Sequence, residues 1–240
     1  KAFVPDGDAE SWSCLWDRKY AGKILMKDSY RDAYGTAIIY AHARDLAGGK
    51  VTVEDLMNDY SPRAMEIAEK YLKAMKPNIA GWEADFGKNK AWLNMTWSGD
   101  AKWAIEEADA VGVDLDYVVP REGSNIWYDG WVIPKYAGNP EAASYFINFM
   151  CRPDIALRNM EASGYVSAVA SPEIMEAKTD TTLTYYSDLS YFFGPGADSL
   201  QIDKIQYPDR KVVERCAMIR DFGDKTKDVL EIWSRIKGDN

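Results

Sequence analysis

Gly22-Lys23-Ile24-Leu25-Met26-Lys27-Asp28-Ser29-Tyr30-Arg31-Asp32-Ala33 reads as a strand that turns directly into a helix. Ile24, Leu25 and Met26 form a short apolar run. From Tyr30 to Leu46, Ala33, Ala37, Ile38, Ala41 and Leu46 can build an apolar helical face, stopped by Gly48-Gly49. Upstream, residues 11–20 read as a short helix or turn, with Trp12, Leu15 and Trp16 at helical spacing. Downstream, Thr52 with Asp55 at the third helical position predicts a capping box, and Ser61-Pro62 opens a helix that runs to Met75 before Pro77. A strand follows over 91–96, a helix over 101–108, and a strand around 116–119 that ends at Pro120. Residues 125–127 and 131–134 read as extended. Asn139-Pro140 caps a helix to Cys151, and Arg152-Pro153 opens another that ends at Ser163-Gly164. A short helix follows Ser171-Pro172, a Tyr-, Phe- and Gly-rich loop covers 185–197, and an amphipathic helix occupies 225–237. Strands alternating with helices predict an α/β protein with a mixed, largely parallel sheet flanked by helices.

The 240 residues are 47% hydrophobic and 13% aromatic, with nine tryptophans and fifteen tyrosines. That is enough for one large domain or two modest lobes. No apolar run approaches the roughly 20 residues of a membrane span. The first residues do not read as a basic-then-apolar leader, so the N-terminus is uninformative about destination. A net charge of −9 argues against nucleic acid, whose usual footprint is a basic patch. Cys14, Cys151 and Cys216 have neither disulfide-scaffold nor metal spacing, and His42, the single histidine, lies in a helical stretch with no motif around it. Asp221-Phe222-Gly223 spells the kinase magnesium motif without the rest of a kinase, and the sequon Asn94-Met95-Thr96 falls inside an expected strand. No nucleophile–base pair, metal cluster or cofactor motif is legible, so no catalytic residue, metal or cofactor is assigned.

Two tryptophans do stand out, each close to an aspartate at a strand end: Trp97-Ser98-Gly99-Asp100 and Trp127-Tyr128-Asp129. An aromatic face beside a carboxylate suits an organic ammonium ion, because the ring quadrupole attracts the cation and the acid neutralises it. The plainer reading is that the rings are core or rim and the acids are turn or cap residues. The turn after the first strand offers Asp28, Ser29 and Asp32 where ligands of open α/β sheets sit, outside the carboxyl ends of strands. Helix capping and dipole complementation explain the same residues. Gly164-Tyr165 presents either a further ring for such a box or a C-cap glycine followed by a core tyrosine.

These pieces, in this order, resemble the spermidine/putrescine-binding proteins of bacterial polyamine ABC transporters, a branch of the type II periplasmic solute-binding fold. The shared run is Ser11-Trp12, Leu15-Trp16-Asp17, Tyr20-Ala21-Gly22-Lys23-Ile24, Asp28-Ser29-Tyr30-Arg31-Asp32, Trp97-Ser98-Gly99-Asp100 and Pro120-Arg121-Glu122-Gly123. It continues through Trp127-Tyr128-Asp129, Ile133-Pro134, Asn139-Pro140-Glu141-Ala142, Ile147-Asn148-Phe149, Arg152-Pro153-Asp154 and Gly164-Tyr165.

The resemblance implies a non-enzymatic subunit, on the periplasmic or extracellular side of the cytoplasmic membrane, that hands polyamine to permease subunits in that membrane. It implies Trp97 and Trp127 as walls of an aromatic box and Asp129 as the main carboxylate for an amino group. Asp32 would grip a terminal ammonium, Tyr165 would add a contact, and Asp100 matches the putrescine-preferring branch. Ser29 stands where some members carry a second carboxylate, and the glutamine that some place near Met218-Ile219-Arg220 has no counterpart. It further implies that residues 1–127 and 175–240 belong to the second lobe and 128–174 to the first, most of which is expected to lie in a segment missing here. Another organic cation, a betaine or a basic amino acid, is the alternative ligand.

Overall fold

In a computed structural model, residues 3–5, 7–82 and 91–238 are described. The strands are β1 (Ile24–Met26), β2 (Ile79–Trp82) and β3 (Leu93–Met95). The helices are α1 (Tyr30–Ala41), α2 (Ala43–Ala47), α3 (Val53–Met57), α4 (Pro62–Met75), α5 (Ser98–Asp109) and α6 (Pro140–Met150). They continue as α7 (Pro153–Ser163), α8 (Pro172–Lys178), α9 (Ser190–Phe193), α10 (Arg210–Val213) and α11 (Thr226–Gly238). Residues 1–97, 107–127 and 212–240 group into one compact unit, and 98–106 with 128–211 into a second. Residues 175–211 thus group with 128–174 and 98–106, and residues 212–240 with 1–97 and 107–127.

In unit 1, β1 is the centre of a three-stranded parallel sheet of order β2–β1–β3. All three residues of β1 are fully buried. This explains why the strand is an unbroken apolar run rather than an alternating one, as the middle of a parallel sheet requires. Ile24 and Met26 face a core shared with Ala37 and Ile38 of α1, Leu72 and Met75 of α4, and Ile232 and Trp233 of α11. The expected capping box forms, with Thr52 Oγ1 accepting from the Asp55 N–H and the Asp55 carboxylate accepting from the Thr52 N–H. Ser61 caps α4 with Pro62 in its first turn. Arg235 on α11 makes a paired hydrogen bond to Glu69 on α4, both contacts at 2.9 Å, and Lys73 adds a third cation contact to the same carboxylate. Together they hold the Glu69 carboxyl down at about 2.

Two sequence expectations are corrected, and one strand is added. The single helix from Tyr30 to Leu46 is two, because His42 adopts φ −112° and ψ 17°, outside helical geometry, and its N–H closes α1 on the Ile38 carbonyl. No strand forms at 116–119. The Val119 and Pro120 carbonyls instead accept from the Arg215 guanidinium, at 2.8 and 3.2 Å. The ordered pairing nearby is a single parallel bridge between Asn125 and Ala217. Conversely, β2 has no clear sequence signal, since Ile79-Ala80-Gly81-Trp82 is four residues long, contains a glycine and follows a proline closely.

Unit 2 has a smaller core of Met160, Leu189, Ile202 and Tyr207, flanked by Val166, Phe192, Phe193 and Leu200. The expected loop at 185–197 contains α9, and the strand-like pairings in and around it are isolated antiparallel bridges, Ser187 with Leu200 and, outside the loop, Thr179 with Ile202. α7 ends where Gly164 takes φ +75°, a left-handed cap that glycine adopts without the Cβ penalty. α6 contains Tyr145, Phe146, Ile147, Phe149 and Met150, yet has no buried residue. Tyr145 is 68% exposed, and Trp131, whose ring meets Phe146 edge-on at 5.3 Å, is 65% exposed.

Candidate functional site

In unit 1, β1 and β3 run parallel and end side by side, which brings the first turn of α1 next to the residues that follow β3. Ser29 is the N-cap of α1, its Oγ accepting from the Asp32 N–H. Asp32 then gathers its surroundings. Its Oδ2 accepts from Trp97 Nε1 at 3.1 Å and from Ser29 Oγ at 2.6 Å, and its Oδ1 accepts from Asn125 Nδ2 at 3.0 Å. Trp97 and Trp127 lie 5.9 Å apart, centre to centre, with their planes tilted by 52°. The Lys27 ammonium lies 4.1 Å from the centre of the Trp97 ring. Ser29, Asp32, Trp97 and Trp127 are all half-buried.

Asn125 is the residue that sequence reading passes over. Its Nδ2 donates to Asp32 while its Oδ1 accepts from the Ile219 N–H at 3.1 Å, so it joins the α1 start to the 217–220 stretch. The signal is present: Asn125 precedes Trp127 by two residues in an extended segment, which puts both side chains on one face. Asp28, by contrast, is engaged with α11. Its carboxylate accepts from Lys237 and from Trp233 Nε1, and the Lys237 contact holds its carboxyl below the usual range.

Asp100, Asp129 and Tyr165 lie in unit 2, so that each tryptophan–aspartate pair is divided between the units. Asp100 sits in the first turn of α5. Beside it, the Tyr165 ring lies against Gly99, where a Cβ would come within 2.5 Å of the ring. A Cβ on Gly164 would lie 2.9 Å from the Gly99 carbonyl, so two glycines are needed for this close approach. Gln206 Nε2 donates to the Gly164 carbonyl at 3.0 Å and fixes the cap. Asp100 also lines a cavity of about 520 Å³ with Lys102, Trp103, Glu106 and Gln206, where Lys102 is paired with Glu106 and Asp203. Asp129 is exposed, next to an exposed Tyr128.

Burial pushes the Cys14 thiol up to about 12 and raises Cys216 as well, which makes both poor nucleophiles at neutral pH. His42, at the break between α1 and α2, lies 3.8 Å from Asp45. Among the described residues no group of three His, Cys, Asp or Glu side chains could hold a metal, and no helix is long and apolar enough to cross a membrane.

Rings and acid side chains gathered beyond the carboxyl ends of parallel strands occupy the place where ligands of open α/β sheets sit. The chain belongs to the bacterial extracellular solute-binding protein family, whose model matches residues 1–184. It is 32% identical over 180 residues to the spermidine/putrescine-binding periplasmic protein of Escherichia coli, a match covering 70% of this chain and 47% of that protein. Among solved structures it resembles a Listeria monocytogenes protein assigned to a spermidine/putrescine ABC transporter, at TM-score 0.71 and 26% identity over 97% of this chain and 63% of that one. It also resembles the spermidine/putrescine ABC transporter substrate-binding protein of Streptococcus pneumoniae, at TM-score 0.68 and 27% identity over 99% and 64%. The fold is therefore that of the periplasmic binding proteins. The chain spans about half the length of the curated relative and less than two-thirds of either solved chain.

Proposed function

We propose that this chain is part of a polyamine-capturing subunit of an ABC importer, acting outside the cytoplasmic membrane and without catalysis. The observation that carries the reading is the pairing of Trp97 and Trp127 at 5.9 Å, with Trp97 tied to the Asp32 carboxylate at the rim of a parallel sheet. Rings so placed stack on the methylene chain of a diamine or triamine and attract its ammonium groups. In this reading Trp97 and Trp127 are the aromatic walls and Asp129 is the principal carboxylate for an amino group. Asp100 and Tyr165 add contacts, and Ser29 and Asp32 serve a terminal ammonium. The names of the three relatives support the ligand class and the transporter context.

The reading includes two partners. One is the set of permease subunits in the membrane that receives the polyamine. The other is the remainder of the two-lobed fold, to which 128–174 contributes as part of the first lobe. The unburied apolar face of α6 supports this second partner, as does the length by which the relatives exceed this chain.

Charge-assisted hydrogen bonds are worth about 1.5–3 kcal/mol and a cation–π contact roughly 0.5–2 kcal/mol. Losing Asp129 therefore costs more affinity than losing either ring. A thermal-shift series tests the ligand class, because a ligand of the native state raises the melting temperature by mass action. Millimolar putrescine and spermidine should raise it, whereas butanediol, with the same carbon chain and no charge, should not. A rise with betaine or arginine and none with either polyamine would replace the proposed ligand with another organic cation.

A further inference from the structure

We infer that Lys27 is a resident cation of the aromatic seat: its ammonium occupies a face of Trp97, and an incoming amine must displace it. This rests on the polyamine reading above. Three contacts put the ammonium there. Lys27 N–H donates to the Met95 carbonyl at 2.9 Å, which fixes the start of the lysine side chain at the end of β1, against β3. Trp97 follows Met95 by two residues, so the strand pairing itself brings lysine and indole together. Asp32 then holds the indole by its Nε1–H, and the ring meets the Lys27 Nζ at 4.1 Å from its centre. That distance lies well inside the roughly 6 Å within which a cation is held by an aromatic face.

The consequence is selectivity. A ligand ammonium uses the same quadrupole that Lys27 already engages, and two like charges at van der Waals separation repel. Binding therefore exchanges one cation for another at Trp97. The exchange disfavours ligands in proportion to their charge, so Lys27 biases the seat toward a diamine over a triamine. The bias weakens as salt screens the repulsion.

Two measurements on the full chain test this, both by nuclear magnetic resonance. In the wild-type protein the ring current of Trp97 should shift the Lys27 ε-methylene protons upfield, and putrescine should return them to solvent values as the Trp97 indole N–H moves. Replacing the charge, Lys27→Met, should tighten putrescine binding by roughly fivefold, and spermidine binding by more. Lys27→Arg should stay close to wild type. If the Trp97 indole N–H responds to putrescine while the Lys27 methylenes stay shifted, the displacement is overturned and the polyamine reading stands. A Lys27→Met protein that binds putrescine no tighter than wild type overturns the displacement in the same way. If the indole responds to no amine, the polyamine reading falls and this inference falls with it. The displacement readout needs no variant, so a poorly folding Lys27→Met protein does not blunt the test.

Discussion

The two units differ in what their apolar residues do. In unit 1 the apolar positions of β1, α1, α4 and α11 converge on one continuous core, and β1 in its centre is fully buried. In unit 2 a small cluster around Met160, Leu189, Ile202 and Tyr207 is buried, while the aromatic helix α6 has no buried residue. Unit 1 thus gathers the apolar residues of four elements into one core, whereas none of the apolar residues of α6 is buried. Hydrophobic periodicity therefore reports what a helix is built to contact, not whether the contact is made within the same unit.

The largest expected effect separates the cores. Ile38→Ala in unit 1 removes a fully buried branched side chain from a dense setting and should cost about 3–4 kcal/mol in denaturant unfolding. Met160→Ala, in the small core, should cost about 2 kcal/mol, because fewer neighbours lose contacts and the site can relax. Equal costs would break the comparison.

Next come the glycines. Gly123 has φ +95°, and a Cβ there would meet the Arg215 carbonyl at 1.9 Å, so Gly123→Ala combines strain with a backbone clash. It should cost about 3 kcal/mol in thermal or chemical unfolding. At Gly99 the nearest atoms to an added Cβ belong to the Tyr165 side chain and not to backbone, so Gly99→Ala should cost nearer ~1 kcal/mol while shifting the Tyr165 resonances.

A smaller effect concerns acid. Arg235, with Lys73, holds the Glu69 carboxyl at about 2, below its ordinary 4.5. A carboxyl depressed on folding contributes stability that is complete above its ordinary value and lost as pH falls toward the folded one. Acid unfolding followed on unit 1 signals should therefore be steeper in wild type than in Glu69→Gln, and identical profiles would remove the pair as a source of acid sensitivity.

The smallest effect is on α6. Tyr145→Ser changes a residue that is 68% exposed and should alter stability by less than about 0.5 kcal/mol. A loss comparable to Ile38→Ala would mean that α6 is packed after all.

Most helices are legible in the sequence because their ends carry chemistry that acts locally. The Thr52–Asp55 box, Ser61-Pro62, Asn139-Pro140 and the Gly164 stop are each read from two or three adjacent residues. What escapes such reading depends on distant partners. Arg215 takes the carbonyls that a strand at 116–119 would have needed, and β2 exists because β1 lies beside it. The same division runs through the candidate site. Its aromatic and acidic residues are visible by type. A role of Asp32 toward an ammonium group is implied by the family resemblance and not by its position, which a helix-dipole acid explains equally well. The structure adds that both oxygens of Asp32 already accept from Trp97, Ser29 and Asn125. Asn125 and Lys27 do not stand out in the sequence because their importance is positional. It comes from a bridge to Ala217 in one case and from strand pairing with Met95 in the other.

The most direct test of the central claim is a titration of putrescine, against butanediol as control, into the chain labelled at its tryptophan indole nitrogens. Putrescine should move the Trp97 and Trp127 indole resonances together along one binding curve while the diol leaves them in place, and Asp129→Ala should weaken the curve. Indole resonances that ignore putrescine, or that answer the diol equally well, would contradict the claim.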